Sequence, residues 1–173
     1  MNKRMLAALL ALAGMFVALY LTLYKLGYIG TLVCAVGSCE TVQTSKWATF
    51  LGQPVGAWGV AYYVAVFIVA IAGLSEALSE SPAVSRVLVG LTGFGMLFSL
   101  WLTYLELFVI HAICQWCVIS ALLATALFIV SLLDLLEVAS FGDAVGAELR
   151  GPGYGGEVRD TAEVSLRATT PEE

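Results

Sequence analysis

Charge is what this sequence has least of. Only 12% of its residues are charged against 60% apolar, and the charges avoid four stretches altogether: Met5 to Tyr24, Val55 to Ser75, Val87 to Leu105 and Ala112 to Leu133. Histidine occurs once and cysteine four times. No glycine-rich phosphate loop stands in a strand–loop–helix context, which removes the usual nucleotide chemistry. No recognisable haem, flavin or nicotinamide site is present, nothing points to nucleic acid, and no internal repeat is found. A soluble domain of this size cannot hide so much apolar surface. A bilayer can. Each uncharged run is about the 20 residues that a helix needs to cross roughly 30 Å of hydrocarbon. The expected fold is an all-α membrane protein, with helices at about 5–24, 55–75, 87–106 and 111–136.

The first run opens with Lys3 and Arg4, as a secretory leader would, and Ala11-Leu12-Ala13 resembles a cleavage site. Only six apolar residues (Met5 to Leu10) precede that site, and eleven more residues of the run follow it. A cleavable segment would end there, so the run reads as a retained helix. Lys3, Arg4, Arg86, Arg150, Arg159 and Arg167 fall on one side of a four-pass arrangement, and Lys25 and Lys46 on the other. This bias places both termini in the cytoplasm of a multi-pass inner-membrane protein. The connection 25–54 then faces the periplasm or cell exterior, and Glu76 to Arg86 forms the cytoplasmic turn. The 47 residues from Val87 to Leu133 would make a rod about twice the membrane thickness. The chain must therefore reverse between Glu106 and His111. From Ser140 onward seven acidic residues face three arginines, and this composition reads as a poorly ordered acidic tail. The domains are thus 1–139 in the membrane and 140–173 outside it.

The outer connection predicts a short amphipathic helix from about Cys39 to Phe50, with Ser38 as N-cap and Gly52 and Pro54 closing it. Trp47 and Phe50 would dip into the interface while Glu40 and Lys46 stay wet. All four cysteines lie on this outer side. Oxidised pairs persist in such a compartment. Cys114-Gln115-Trp116-Cys117 is a C-x-x-C at helical spacing, so both sulfurs share a face and can bridge or exchange. A helix start lowers the thiol pKa, and the thiolate is the attacking species; Cys39, just after its N-cap, is favoured likewise.

Two other readings compete with a redox relay. Structural disulfides would close loops of four and two intervening residues, too small to add much stability. A four-cysteine zinc site has near-ribbon spacing but no adjacent His or fifth cysteine to support it. A relay needs an electron acceptor. Cys117 lies about one helical turn deeper than Cys114, where it can meet a lipid-soluble quinone that takes two electrons and two protons.

On these residues the chain resembles the vitamin K epoxide reductase family, specifically its bacterial members. The matching residues are Cys34, the run Cys39-Glu40-Thr41-Val42-Gln43-Thr44-Ser45-Lys46-Trp47, the run Leu51-Gly52-Gln53-Pro54-Val55-Gly56-Ala57-Trp58-Gly59, and Cys114-Gln115-Trp116-Cys117. The resemblance as a whole covers roughly Leu6 to Leu136. The other bacterial quinone-linked disulfide-forming family carries its C-x-x-C in the first external loop and fits worse. The resemblance implies a four-helix bundle around a quinone, capped by the half-helix of the outer loop. It implies that a thioredoxin-like protein reduces a Cys34–Cys39 disulfide. Cys39 then exchanges with Cys114, opening the Cys114–Cys117 disulfide through a transient Cys39–Cys114 bond and leaving Cys117 to face ubiquinone or a menaquinone of vitamin K type. Ser45 matches a family serine or threonine that hydrogen-bonds the active-site sulfur or the quinone. Vertebrate members carry asparagine at the place of Val55 and tyrosine at that of Ala121, so their absence favours quinone over epoxide turnover. Many bacterial members carry a fused thioredoxin-like domain; here a short acidic tail follows, so the partner is a separate protein.

Three further side chains are candidates. His111, three residues before Cys114, is placed to shuttle a quinone proton, though a lone histidine at a helix end more often meets interfacial water. Glu106 either pairs with it or is a solvated helix terminus. Trp58 and Tyr62 share a face of the second helix and either line the quinone or anchor the interface.

Overall fold

A computed structural model of the protein describes residues 3–75, 78 and 81–149, with side chains through residue 142. It divides into two units, Met1–Leu136 and Glu137–Glu173. The first holds four long apolar helices: α1 (Lys3–Lys25), α3 (Val55–Ala72), α4 (Pro82–Tyr104, prolonged by a π-helical turn, Leu105–Ile110) and the start of α5 (Gln115–Leu149). A short helix, α2 (Cys39–Thr44), lies in the connection between α1 and α3. In the second unit the described residues are helical as far as Leu149, and Ser140 Oγ donates to the Glu137 carbonyl at 2.9 Å. Of the acidic tail expected to be poorly ordered from Ser140, residues 140–149 are instead helical, and the rest lies outside the described residues, as do residues 76, 77, 79 and 80 of the expected cytoplasmic turn.

The α1 sequence, rich in Leu and Ala, favours helix at nearly every position. Its small residues recur on one face: Ala7, Ala11, Gly14 and Ala18 are all buried. That stripe lets α3 approach closely, as small residues do where lipid supplies no hydrophobic drive between helices. Gly14 seats the ring of Tyr63, and a side chain there would overlap it. Tyr63, Val66, Ala70, Leu88 and Leu127 complete the core. Large apolar side chains point outward instead, among them Phe16, Ile68, Phe94, Leu97 and Leu122, each at least 60% exposed. An outer surface of that kind is a lipid-facing surface.

Helix limits depart from the uncharged windows for a physical reason. Those windows mark where hydrocarbon begins, whereas a backbone helix starts at its cap. So α4 begins at Pro82, with Ser81 before it and proline at the first turn, where its missing N–H costs nothing. At the same end, Arg4 enters a buried network. Its Nε meets Asp134 Oδ2 at 3.1 Å, its other nitrogens donate to the Gly73 and Leu78 carbonyls and Ser85 Oγ, and Ser85 donates to Asp134. Four segments are tied there through one guanidinium.

The outer connection is more broken than the helix expected over 39–50. α2 stops at Thr44, a 3-10 turn covers Lys46–Ala48, and β1 (Thr49–Phe50) pairs antiparallel with β2 (Gln53–Pro54). The Oγ atoms of Thr44 and Ser45 donate to carbonyls one turn back, at 2.7 Å each, and Ser45 leaves the helix in an extended conformation. Such back-bonding competes with continued helix. Leu51 and Gly52 then both take positive φ, 52° and 79°, as a tight two-residue hairpin requires. Ser38 does occupy the N-cap position, but its hydroxyl makes no cap bond.

Candidate functional site

The chain reverses at the far end of the span from Glu106 to His111. The π turn carries the helix to Ile110, and His111 ends it in the left-handed region (φ 55°). The Glu106 carbonyl accepts the Ala112 N–H at 3.1 Å, and Glu106 Oε2 accepts the Cys114 N–H at 3.1 Å. Cys114 therefore precedes α5 instead of lying within it. There it forms a bridge to Gly37, reinforced by the Ser38 N–H donating to the Ile113 carbonyl at 2.9 Å. Gly37 has φ 89°, and a Cβ at this position would collide with that carbonyl.

This bridge lays the outer loop on the start of α5. Both intervening residues of the C-x-x-C hold it there. Gln115 Oε1 accepts the N–H groups of Ala35 and Val36 at 3.0 and 3.1 Å, and Trp116 Nε1 donates to the Val33 carbonyl at 2.9 Å. Tyr20 stacks edge-on against Trp116 and accepts the Val33 N–H. Neither Gln115 nor Trp116 stood out as functional beforehand, because spacing marks the cysteines and says nothing of what the residues between them hold.

The four sulfurs are graded by depth. Cys34 and Cys39 form a disulfide, with Cys34 half-buried among exposed Val33, Ala35 and Val36, and Cys39 buried. Cys114 and Cys117 are free thiols. Cys39 and Cys114, 1% and 0% exposed, belong to one buried cluster with Leu21, Leu32 and Val42. The Cys114 pKa lies below the ordinary thiol value, chiefly because the Cys117 thiol hydrogen-bonds its sulfur, although burial opposes the shift. Among the described residues, no group of three or more His, Cys, Asp or Glu side chains gathers as a metal site. Two of the four sulfurs that a zinc site would need are bonded to each other.

Cys117 opens into a cavity of about 450 Å³ between α1, α3, α4 and α5, roofed by α2 and the hairpin. Its walls are overwhelmingly apolar. Of the residues singled out beforehand, Ser45, Val55, Trp58, Tyr62 and Ala121 line it, and His111 does not. His111 is exposed at the reversal. Ser45 uses its hydroxyl on the Val42 carbonyl, and Trp58 Nε1 donates to the Phe50 carbonyl. The Tyr62 hydroxyl is buried without a hydrogen-bond partner among the described residues. Gln43 adds a side-chain amide 3.9 Å from Cys117 Sγ. Glu106, expected in solvent or beside His111, is instead 5% exposed and lines the same cavity as Cys117.

A half-exposed disulfide packed against a thiol pair at the edge of an apolar cavity is an arrangement capable of thiol–disulfide exchange. Residues 5–132 match the model of the vitamin K epoxide reductase family. That match spans all four cysteines and the four-helix core, and the chain belongs to this family of membrane disulfide oxidoreductases.

Proposed function

We propose that the protein reoxidises a separate thioredoxin-like protein outside the cytoplasm and passes the electrons to a membrane quinone, supporting disulfide-bond formation. The burial of Cys39 and Cys114 in one cluster, between half-exposed Cys34 and cavity-lining Cys117, carries this reading. Partner thiols reduce Cys34–Cys39. The Cys39 thiolate attacks Cys114 of a Cys114–Cys117 disulfide, and Cys117 leaves. Cys34 then attacks Cys39, restoring the outer disulfide and freeing Cys114. The described state, with the outer pair oxidised and the inner pair reduced, corresponds to this stage. Cys114 and Cys117 next give two electrons and two protons to the quinone and rebond.

The cavity suits a quinone ring as substrate. Its walls are apolar, and Tyr62 offers an unpartnered donor for a carbonyl oxygen. Tyr62 does so without the asparagine or tyrosine that vertebrate members carry at the places of Val55 and Ala121. Lys3 and Arg86 on one side support cytoplasmic termini, and the outer disulfide suits an oxidising compartment.

Purified chain in lipid should oxidise a reduced thioredoxin-like protein only when quinone is supplied. Cys34→Ala should accumulate a Cys39–Cys114 bond, visible as altered gel mobility. Four protected thiols released by a chelator would sink the reading in favour of a metal site.

A further inference from the structure

The buried polar groups that cysteine exchange does not use are few. Arg4, Ser85 and Asp134 satisfy one another at the end of the bundle away from the cysteines. Glu106 has no such account. It is a buried carboxyl group on an apolar membrane-crossing helix, and among the described residues no Lys, Arg or His forms an ion pair with it. Ionisable side chains at such depth are costly and are kept where they handle protons, ions or ligands. Its neighbours indicate which. Oε2 accepts the Cys114 N–H, the carboxyl interacts electrostatically with the Cys117 thiol, and the same group lines the cavity that Cys117 lines. A single carboxyl thus holds the backbone of one member of the inner pair and shares with the other the cavity where their electrons would be delivered. It is held by a π turn, a helix irregularity frequent at functional sites.

We propose that Glu106 is a catalytic proton carrier between the Cys117 thiol and a quinone oxygen. The inference rests on the quinone-linked reading above. In that half-reaction the Cys114 and Cys117 thiols lose two electrons and two protons, the bond between their sulfurs forms, and the quinone becomes a quinol. Glu106 takes the proton of Cys117 as its sulfur gives up electrons, and hands a proton to the nearer quinone oxygen. Its own protonation is therefore unchanged at the end. The Cys114 proton leaves to water, and the second quinone oxygen takes its proton from water. Among the described residues lining the cavity, Glu106 is the one carboxyl group and no imidazole is present, so Glu106 alone could make the inner transfer as a carboxylate or imidazole base.

The test uses the full chain, reduced at all four cysteines in quinone-free nanodiscs and mixed with a soluble short-chain quinone across a pH range. Glu106→Gln should slow the quinone step about 100-fold, within the usual contribution of a positioned acid–base group, and flatten its pH profile. Glu106→Asp should recover part of the rate and its pH dependence. The wild type should show a solvent deuterium effect that Glu106→Gln lacks. A second readout needs no quinone: the pH midpoint for alkylation of Cys117 by a small haloacetamide should move in Glu106→Gln. A wild-type rate and profile in Glu106→Gln would overturn the proposal. So would equal loss of cysteine-to-cysteine transfer and of the quinone step, since Glu106 would then merely brace the Cys114 backbone. If the wild type reduces no quinone, the functional reading fails, and the alkylation midpoint still decides whether Glu106 shares a proton with Cys117.

Discussion

Cys114 differs from its neighbour Cys117 by position as much as by chemistry. It stands before α5, outside the membrane-crossing segments, where the Cys117 thiol hydrogen-bonds its sulfur and lowers its pKa. The sign follows directly. The folded value lies below the unfolded one, so the thiolate's contribution to stability is present above the unfolded pKa. It is lost as pH falls through the folded value. Cys117→Ala removes the bond and should raise the Cys114 titration midpoint, while Cys117→Ser, which keeps a donor, should largely preserve it. Ultraviolet titration of the thiolate, with Cys34–Cys39 left oxidised, reads both. An unmoved midpoint in Cys117→Ala would show that the hydrogen bond is not the cause. The two pairs themselves were legible from their spacing. Glu106 was legible only as the acidic residue of its span: whether it meets water depends on a π turn that swings it inward and leaves His111 outside, and no 3.6-residue periodicity encodes that turn.

Among the elements, the outer connection departs most from expectation. Gly52 and Pro54 were read as the end of a helix, yet they belong to a hairpin whose other positive-φ residue is leucine. A leucine does not announce such a turn, because asparagine and glycine are the residues that tolerate it. Leu51 is 77% exposed and has little packing to lose. Leu51→Asn should therefore stabilise the protein by about 1 kcal/mol, the lower range for a residue held at positive φ. Thermal unfolding in detergent would show the gain, and a drop in midpoint would mean that the leucine packs over the cavity mouth. Gly37 is the opposite case. Gly37→Ala meets both an unfavourable φ and the Ile113 carbonyl, so the bridge that lays the loop on α5 should loosen. The expected result is less Cys39–Cys114 bond trapped in a Cys34→Ala background.

At the scale of the bundle, the sequence makes Arg4 a marker of membrane orientation, and the structure makes it a tie between segments as well. Arg4 and Asp134 are both buried, and each satisfies groups that the other leaves open. Removing one partner strands a buried charge. Arg4→Met or Asp134→Leu alone should cost about 3–5 kcal/mol, and the two together considerably less, because no charge is then left unpaired. Unfolding midpoints of the two single variants and the double variant test this, and additive losses would refute it. The pairing lay beyond sequence reading because 130 residues separate its members.

The membrane bundle follows from composition: four runs too apolar for water and long enough for a bilayer leave a chain few other ways to fold. Spacing likewise marked out the cysteine pairs. Which sulfurs lie buried together, what the cavity presents to its occupant and where Glu106 points were decided by packing. Those features depend on a π turn and a two-residue hairpin, both local irregularities, and on a glycine bridge between segments far apart in the chain. Hydrophobic patterning carries information along the chain, whereas burial of a single polar group is set by whatever folds over it.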